Sequence, residues 1–343
     1  MRVLVIQTAF IGDLVLTTPF LAVLKKRWPG VTIDVVTTPA GKEIFEGIEG
    51  VNTFVLDKKG TSLLSGLKGI RAATKDIEYD IAFCVHRSPR SLWIANSVRA
   101  KQKIAFRSLI ALALGFRTVR YPEYSEQLHY SQKPMALLNY SGDFVSVDSL
   151  SGLRPHLVER STDSRWAEKQ LEKFSNPIVL SPFSVWGTKN WFPERFAQVA
   201  LRLAKTHGTS TVLVGDDSKE CVAAGLIIEK TLMGKPVLNL VGKTTLSQLK
   251  SVIARAKVVL ANDSSAIHIA AAFDIPTAAV FGPTVKKWGF FRLSTNSVVV
   301  ENKTLSCRPC HLHGPTVCPK KHFKCMDEIQ VEQVTQAVER LLV

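Results

Sequence analysis

The sequence lacks any long apolar run. Its longest apolar stretch, Leu109 to Gly115, is far shorter than the roughly 18 residues that a helix needs to cross a bilayer. A signal-peptide pattern is also absent, because the chain enters an apolar, strand-like segment at Val3 to Ile6 almost at once. We therefore expect a cytoplasmic protein that does not span a membrane.

Cysteine is scarce, with six residues in a chain of 343, which argues against a disulfide scaffold. Cys84 lies in an apolar run and Cys221 near the start of a predicted helix, so both are expected to be inert. The other four cluster near the end of the chain, with three histidines among them. Two interpretations are open: a structural zinc site, with His322 as an alternative ligand, or reduced thiols that shape an irregular loop. The four are Cys307, Cys310, Cys318 and Cys325.

Acidic side chains are few, with 29 Asp and Glu against 44 Lys and Arg, so the formal net charge is +15. This excess indicates an acidic partner, such as a nucleotide, a nucleic acid or an anionic membrane surface. A merely solvated basic surface is the alternative. The basic residues are dispersed and no recognised nucleic-acid module is present, so a nucleic acid is not expected.

Two domains are predicted from the length and from the pattern of apolar runs. A chain of 343 residues is too long for one ordinary core. Strand-like and helix-like segments alternate from Val3 to Phe106 and again from Ile178 to Leu260, which is typical of α/β proteins with doubly wound, mostly parallel sheets. The polar stretch Ser141 to Ser151 is interpreted as the start of a linker. Two such domains in sequence suggest facing sheets with a cleft between them.

Within the first domain, Thr18 and Pro19 have the character of a helix N-cap and first helical position. We therefore predict a loop over Gln7 to Thr17 and a helix from Thr18 to Trp28. His129 to Tyr140 is a further predicted helix.

The stretch Ala261 to Thr284 combines a strand end, a polar loop and an alanine-rich helix that Pro276 closes. Asp263 or Ser264 is expected to cap this helix, and the side chains of Ser264, Ser265 and His268 share one side of its first turns. A helix N-terminus carries partial positive charge and free N–H groups, so this arrangement suits a phosphate. The alternative is a capped structural helix with a surface histidine.

Three more loops follow predicted strands of the second domain with polar side chains. Because the carboxyl ends of parallel strands share one edge of a sheet, these loops together favour a nucleotide site. Lysine and hydroxyl groups suit phosphate, a carboxylate suits ribose hydroxyls, and a glycine lets a base approach the backbone. The candidate residues are Ser184, Thr188, Lys189, Asp216, Gly242 and Thr244.

Two features of the first domain have alternative interpretations. Asp13 follows the first strand and either caps a turn or acts as a general base. Arg107, Arg117 and Arg120 lie in a segment that mixes basic and apolar residues. That segment fits an anionic lipid surface or a phosphorylated acceptor, or else a solvated loop with a short core helix.

In combination, these motifs resemble those of the bacterial lipopolysaccharide heptosyltransferases of glycosyltransferase family 9. The resemblance rests on Asp13 after Phe10-Ile11-Gly12, the loop ending in Lys189 and Trp191, the segment Val241 to Thr244, and Asp263 to His268. It covers nearly the whole chain, in order. Ser265, where the family commonly has glycine, and Ser184 are departures from the pattern.

The resemblance implies a GT-B fold, α/β in class, with two facing Rossmann-like domains and an interdomain cleft. Residues 1–160 correspond to an acceptor-binding domain completed by a C-terminal helix over 329–343. Residues 174–328 correspond to a nucleotide-sugar-binding domain with a Cys-rich loop at 307–325.

The resemblance also implies an inverting transfer of L-glycero-D-manno-heptose from ADP-heptose to the lipid A-core acceptor. Asp13 matches the general base and Lys189 the lysine that faces the donor phosphates, while Asp263, Ser264, Ser265 and His268 match the donor loop. No cofactor is required for catalysis, and no Asp-x-Asp-like metal loop is present. The enzyme is expected at the cytoplasmic face of the inner membrane, held peripherally on its anionic surface.

Three other functions compete with this one. A GT-B transferase with another nucleotide sugar is the nearest. A basic nucleic-acid-binding protein with a Cys-rich zinc loop predicts affinity that falls steeply with salt. A sugar-nucleotide sensor without activity fits less well, because both Asp13 and Lys189 are present.

Overall fold

Short apolar runs form the strands of two parallel sheets in the computed structural model, which describes residues 1–57, 62–123, 128–141, 153–285, 288, 290 and 296–342. The sheets belong to two units, Met1–Val158 and Glu159–Val343. Of the stretch Ser141 to Ser151, interpreted as the start of a linker, all but Ser141 lies outside the described residues.

The first unit contains a sheet of six parallel strands in the order β3-β2-β1-β4-β5-β6. Its central strands are apolar on both faces and fully buried, as expected for a parallel sheet covered by helices. The strands are β1 (Arg2–Ile6), β2 (Thr32–Thr37), β3 (Val51–Val55), β4 (Tyr79–Cys84), β5 (Ala100–Phe106) and β6 (Arg117–Val119). The helices are α1 (Ile11–Arg27), α2 (Pro39–Phe45), α3 (Leu63–Ala73), α4 (Pro89–Ser97) and α5 (Leu109–Ala113).

The second unit repeats the same plan, with six parallel strands in the order β12-β11-β10-β7-β8-β9. The strands are β7 (Pro177–Ser181), β8 (Ser210–Leu213), β9 (Val237–Asn239), β10 (Val258–Asn262), β11 (Thr277–Phe281) and β12 (Ser297–Glu301). The helices are α6 (Ser161–Leu171), α7 (Pro193–His207), α8 (Lys219–Thr231), α9 (Leu246–Ile253), α10 (Ser265–Ala272), α11 (Lys324–Asp327) and α12 (Val331–Leu342).

Both sheets reverse their strand order at one place, between β1 and β4 in the first unit and between β7 and β10 in the second. Loops that leave neighbouring strands in opposite directions open a crevice there, and open α/β sheets bind ligands at that point. The loops after these four strands are therefore the candidate positions for a ligand-binding site.

The first helix differs from its prediction. It begins at Ile11, so Asp13 lies in its first turn, and Pro19 lies in its interior. Proline lacks the N–H group that would bond to the carbonyl of Val15. The Thr18 hydroxyl donates to that carbonyl instead, at 2.8 Å, which explains how the helix tolerates Pro19.

The last helix packs within the second unit, against α7 and strands β10 to β12. Its apolar side, including Val334 and Val338, is buried there, and Glu332 pairs with Arg202 of α7 at 2.5 Å. The helix is amphipathic, and α7 supplies a matching surface within the same unit. Completion of the first unit by residues 329–343 stays a prediction.

The helix predicted over His129 to Tyr140 is present as a 3-10 helix, Tyr130–Ser141. Pro134 lies inside it and has no N–H to donate, which weakens the α-helical alternative. None of the helices in the described part of the chain has the length and apolar character needed to cross a membrane.

Candidate functional site

The loops after β7 and β10 are tied to each other by one buried amide. The side chain of Asn262 accepts from the backbone N–H of Trp191 at 3.1 Å and donates to the carbonyl of Pro182 at 2.7 Å. Asn262 is fully buried, so these bonds are protected from water. The two loops at the switch point of the second sheet therefore have a fixed spacing.

A buried ion pair joins the same two loops. Lys189 Nζ lies 2.6 Å from Asp263 Oδ2, and the two side chains are only 10% and 6% exposed. Thr284, after β11, donates its hydroxyl to the same carboxylate oxygen at 2.8 Å. An ammonium has three donors, so Lys189 keeps donors for a further anion while Asp263 fixes its position.

The N-terminus of α10 lies beside this ion pair, and its capping differs from the expectation. Ser264 occupies the N-cap position but makes no side-chain capping bond. Its buried hydroxyl oxygen has no hydrogen-bond partner among the described residues. Because Asp263 pairs with Lys189 instead of capping, the free N–H groups at the start of α10 stay available to an anion.

His268, one turn into α10, is buried, not a surface residue. Burial lowers the pKa of its imidazole to about 4, and the opposing charges of Asp263 and Lys189 act on it as well. The ring is therefore neutral at physiological pH. Ser265 opens the helix and is partly exposed.

The loop after β7 is held by its own side chains. The Asn190 amide accepts from the N–H of Ser184 at 2.6 Å and donates to the carbonyl of Ser184 at 3.0 Å. The Thr188 hydroxyl donates to the carbonyl of Pro315 at 2.5 Å. Ser184 and Thr188 are both buried, and in this structure they help to shape the loop that carries Lys189.

The remaining donor-site candidates follow β8 and β9. Asp216 is exposed and accepts from the N–H and the hydroxyl of Ser218 at 3.1 and 2.5 Å. Gly242 has a φ of +69°, and its N–H donates to the carbonyl of Gly215 at 3.1 Å, so these two loops touch. Thr244 precedes the capping box that starts α9.

In the first unit, Asp13 is half-buried in the first turn of α1. The loops after β1 and β4 meet in a cluster of hydrogen-bonded polar side chains. Thr8 Oγ1 lies 2.9 Å from His86 Nδ1 and 3.0 Å from Ser91 Oγ, and Ser88 Oγ lies 2.9 Å from Ser91 Oγ. The switch point of the first sheet therefore also has a polar, hydrogen-bonded edge.

The three arginines lie on or directly after β5 and β6, two neighbouring strands of the first sheet, and the N–H of Arg107 donates to the carbonyl of Val119, next to Arg120, at 2.8 Å. Arg117 Nη1 lies 3.4 Å from Gln102 Oε1, and the guanidinium of Arg117 also lies 5.9 Å from the ring centroid of Tyr140. Arg120 forms an exposed ion pair with Glu123 at 2.9 Å. Arg107 is exposed after β5.

Two basic side chains that the sequence did not single out approach one aromatic ring in the first unit. Arg87 and Lys133 both approach the ring of Tyr121, at 4.1 and 5.0 Å from its centroid. Burial, together with the charge of Arg87, lowers the pKa of Lys133 to about 8. No spacing in the sequence brings these three residues together, because only the folding of β4, β6 and the 3-10 helix does so.

All six cysteines are free thiols. In the Cys-rich loop, Cys307 Sγ lies 3.8 Å from His322 Nε2, and the Cys310 thiol donates to the carbonyl of Cys307 at 3.1 Å. Burial acts to raise the pKa of Cys318, but the neighbouring backbone N–H groups of residues 320–323 outweigh it and lower the pKa. Among the described residues, no group of three or more His, Cys, Asp or Glu is arranged to hold a metal ion.

Solved structures with the same fold place the chain in a class. The structure superposes on a family 9 glycosyltransferase of Veillonella parvula with a TM-score of 0.83 at 24% identity, covering 99% of this chain and 97% of that one. The ADP-heptose LPS heptosyltransferase II of Escherichia coli gives a TM-score of 0.81 at 22% identity, covering 100% and 98%. Two parallel-sheet α/β units of this kind form the GT-B fold.

The family follows from the sequence match. The model of glycosyltransferase family 9 (heptosyltransferase) matches residues 70–320. The lipooligosaccharide heptosyltransferase 2 of Campylobacter jejuni is 23% identical, over 100% of this chain and 98% of its own length. The chain belongs to glycosyltransferase family 9, and it is an enzyme that transfers a sugar.

Proposed function

We propose that this enzyme transfers L-glycero-D-manno-heptose from ADP-heptose to the inner core of lipopolysaccharide, with inversion at the anomeric carbon. The observation that carries the proposal is the buried Lys189–Asp263 pair beside the start of α10, at the switch point of the second sheet. The relatives whose names specify lipooligosaccharide or lipopolysaccharide heptosyltransferases support the choice of sugar and acceptor.

The donor is assigned to the second unit. Lys189 and the N–H groups at the start of α10 bind the diphosphate and stabilise the negative charge that develops as ADP leaves. The unpartnered hydroxyl of Ser264, together with Ser265 and neutral His268, supplies further contacts. Ser184 and Thr188 shape the Lys189 loop. Asp216, Gly242 and Thr244 are assigned to the nucleoside.

Asp13 is assigned as the general base in the first unit. Asp13 lies half-buried in the first turn of α1, close after β1 at the switch point of the first sheet. As the acceptor oxygen attacks the anomeric carbon, Asp13 takes the hydroxyl proton and the bond to the diphosphate breaks. A single displacement of this kind inverts the configuration.

The acceptor and the place of the reaction are proposals of the same kind. Arg107, Arg117 and Arg120 supply positive charge for the phosphates and acidic sugars of a lipid A-core acceptor, and the net charge of +15 favours the anionic cytoplasmic face of the inner membrane. Catalysis in this proposal requires no cofactor. Zinc at Cys307, Cys310, Cys318 and Cys325 stays a prediction of the sequence.

The test is release of ADP from ADP-heptose by the wild type and by Asp13→Asn, with and without heptose-deficient lipopolysaccharide. We expect acceptor-dependent release by the wild type and a loss of about 100- to 10,000-fold in the variant, the range of general base catalysis, with ADP affinity retained. A wild type that neither binds nor turns over ADP-heptose with acceptors of several core lengths would falsify the proposal.

Another nucleotide sugar is the second outcome of the same assay. The motifs favour a nucleoside diphosphate more strongly than they favour one sugar, so UDP- and GDP-linked sugars belong in the panel. Turnover of one of these in preference to ADP-heptose keeps the roles of Asp13 and Lys189 and changes only the donor.

A further inference from the structure

The Cys-rich loop, residues 307–325, is fastened to both loops that carry the buried ion pair. One of its contacts reaches the loop after β11, which holds Asp263 through Thr284. Another reaches the loop after β7, which carries Lys189. Neither contact is made by a cysteine side chain.

On the Asp263 side, Arg308 is the fastening residue. Its guanidinium donates to the carbonyls of Gly282 and Thr284 at 2.5 and 2.8 Å and pairs with Glu301 at 2.9 Å. The Arg308 and Glu301 side chains are only 4% and 7% exposed. The N–H of Cys310 donates to the carbonyl of Pro283 at 3.1 Å. The backbone that positions Thr284 is therefore fixed by the Cys-rich loop.

On the Lys189 side, residues 314–316 lie directly against the loop. The carbonyl of Pro315 accepts from both the N–H and the hydroxyl of Thr188, at 3.3 and 2.5 Å. A Cβ added to Gly187 would lie 2.5 Å from the carbonyl oxygen of Thr316, and one added to Gly314 would lie 3.3 Å from Lys189 Cγ. Side chains at either glycine would displace these contacts.

His313 completes the contact by stacking on Trp186. The two rings are nearly parallel, at 15°, and their centroids lie 5.6 Å apart. Burial lowers the pKa of His313, as does the neighbouring charge of Lys189, so the ring is neutral at physiological pH and adds no charge beside the ammonium. Trp186 lies directly before the 3-10 turn Gly187–Lys189 that aims the lysine.

We infer that the Cys-rich loop is a positioning element of the donor site, and that the stack of His313 on Trp186 helps to hold the Lys189 ammonium on Asp263. A lysine side chain has a long flexible stem, so a cation that is fixed before the ligand arrives binds an anion with less loss of entropy. His313 acts through the Lys189 loop and is a positioning residue. The ligand at Lys189 rests on the proposed function, whereas the fixing of Lys189 rests on these contacts alone.

The first test measures how well Lys189 is held, without any substrate. The full-length protein is acetylated with acetic anhydride, and the rate at Lys189 is followed by mass spectrometry in the wild type, His313→Ala and His313→Phe. We expect His313→Ala to raise this rate about three- to tenfold, the range that an aromatic pair contributes. His313→Phe keeps a flat ring on Trp186 and is expected to restore the wild-type rate.

Val317→Ala is the matched control, because Val317 belongs to the same loop and is 74% exposed. It is expected to leave the rate at Lys189 unchanged. Gly314→Ala is a second variant that disturbs the contact from the backbone side, and it is expected to raise the rate as well. Thermal unfolding is measured for each variant to check that its fold is intact.

The second test measures ADP binding by calorimetry in the same proteins. We expect a three- to tenfold weaker Kd for His313→Ala and recovery in His313→Phe. An unchanged labelling rate in both His313→Ala and Gly314→Ala overturns the inference, whatever the result with ADP. A raised labelling rate in a protein whose wild type binds no ADP supports the positioning role and sinks the proposed function instead.

Discussion

The two units use one strand order twice and place different chemistry at the same edge. In the second unit, the switch-point loops carry opposite charges that are buried and paired, Lys189 and Asp263. In the first unit, the corresponding loops meet through hydrogen bonds among Thr8, His86 and Ser91, and Asp13 is half-buried. The fold therefore fixes where a site lies and leaves its electrostatics to the loops.

The difference matches the two tasks in the proposed reaction. A departing diphosphate needs a cation that is already in place, and a buried carboxylate fixes one at the cost of desolvating both charges. A base for an acceptor hydroxyl needs a carboxylate that a substrate reaches, and Asp13 is half-buried whereas Lys189 and Asp263 are buried.

Lys189→Met is expected to have the largest effect, because it removes the cation of the buried ion pair in the second unit. It leaves the buried carboxylate of Asp263 without its cation, and breaking a buried ion pair costs about 3 to 5 kcal/mol. We expect a loss near the lower end, about 3 kcal/mol in the free energy of unfolding at pH 7.5, because Thr284 still donates to Asp263. Urea denaturation measures the loss, and calorimetry is expected to show that ADP binding is lost too.

The double variant Lys189→Met with Asp263→Asn is the control for this prediction. It removes both charges and is expected to regain most of the stability while ADP binding stays weak. Asp13→Asn is the comparison from the other unit and is expected to cost less stability than Lys189→Met, because Asp13 is half-buried whereas Lys189 is buried. Equal destabilisation by Lys189→Met and Asp13→Asn would remove the distinction between the two edges.

Much of this architecture was predictable from the sequence because it rests on local patterns. Apolar runs at regular spacing predicted both sheets, and the C-terminal helix that the resemblance implied over 329–343 is present as Val331–Leu342. The start of α1 was not, because Thr18-Pro19 is a valid helix start by local rules. The Thr18 hydroxyl compensates for Pro19 through Val15, and only the folded helix shows that.

The site was predictable by residue type, and its pairings were not. Lysine and aspartate at strand ends pointed to Lys189 and Asp263, since parallel strands end at a common edge. That the two pair with each other depends on the adjacency of β7 and β10, whose loops lie more than 70 residues apart in the chain. Asn190, Asn262, Thr284 and His313 were missed for the same reason, because each acts through a partner distant in sequence or through a loop geometry.

The pH dependence of stability tests the buried part of the second unit's site through His268. His268 has a pKa of about 4 when folded, through burial, against about 6.5 when exposed. The unfolded chain therefore binds more protons between these values, and stability falls as the pH falls from about 6.5 towards 4. From pH 7.5 to 5, we expect this residue to account for a loss of about 2 kcal/mol.

His268→Gln isolates that contribution, because glutamine fits the space with polar atoms and does not titrate. The free energy of unfolding is measured by urea denaturation at pH 7.5, 6.5, 5.5 and 5 for the variant and the wild type. The variant is expected to lose less stability over this range, by about 2 kcal/mol. Parallel pH profiles for the two proteins would show that His268 is not a neutral buried group in the native state.

The smallest effect is expected at the hydrogen-bonded cluster of Thr8, His86, Ser88 and Ser91 in the first unit. Ser91 is fully buried, and its hydroxyl lies within 3.0 Å of Thr8, His86 and Ser88 oxygen or nitrogen atoms. Ser91→Ala is expected to cost about 1 kcal/mol, because it leaves buried Thr8 and half-buried His86 and Ser88 with one partner fewer. Ser97→Ala on the same helix removes one half-buried bond, to the carbonyl of Ile94, and is expected to cost less. Neither change is expected to alter ADP affinity more than about twofold, since uncharged bonds in the first unit do not set the position of Lys189. Loss of ADP binding by Ser91→Ala at unchanged stability would contradict this, because it would show that the hydrogen-bonded cluster around Ser91 contributes to donor binding.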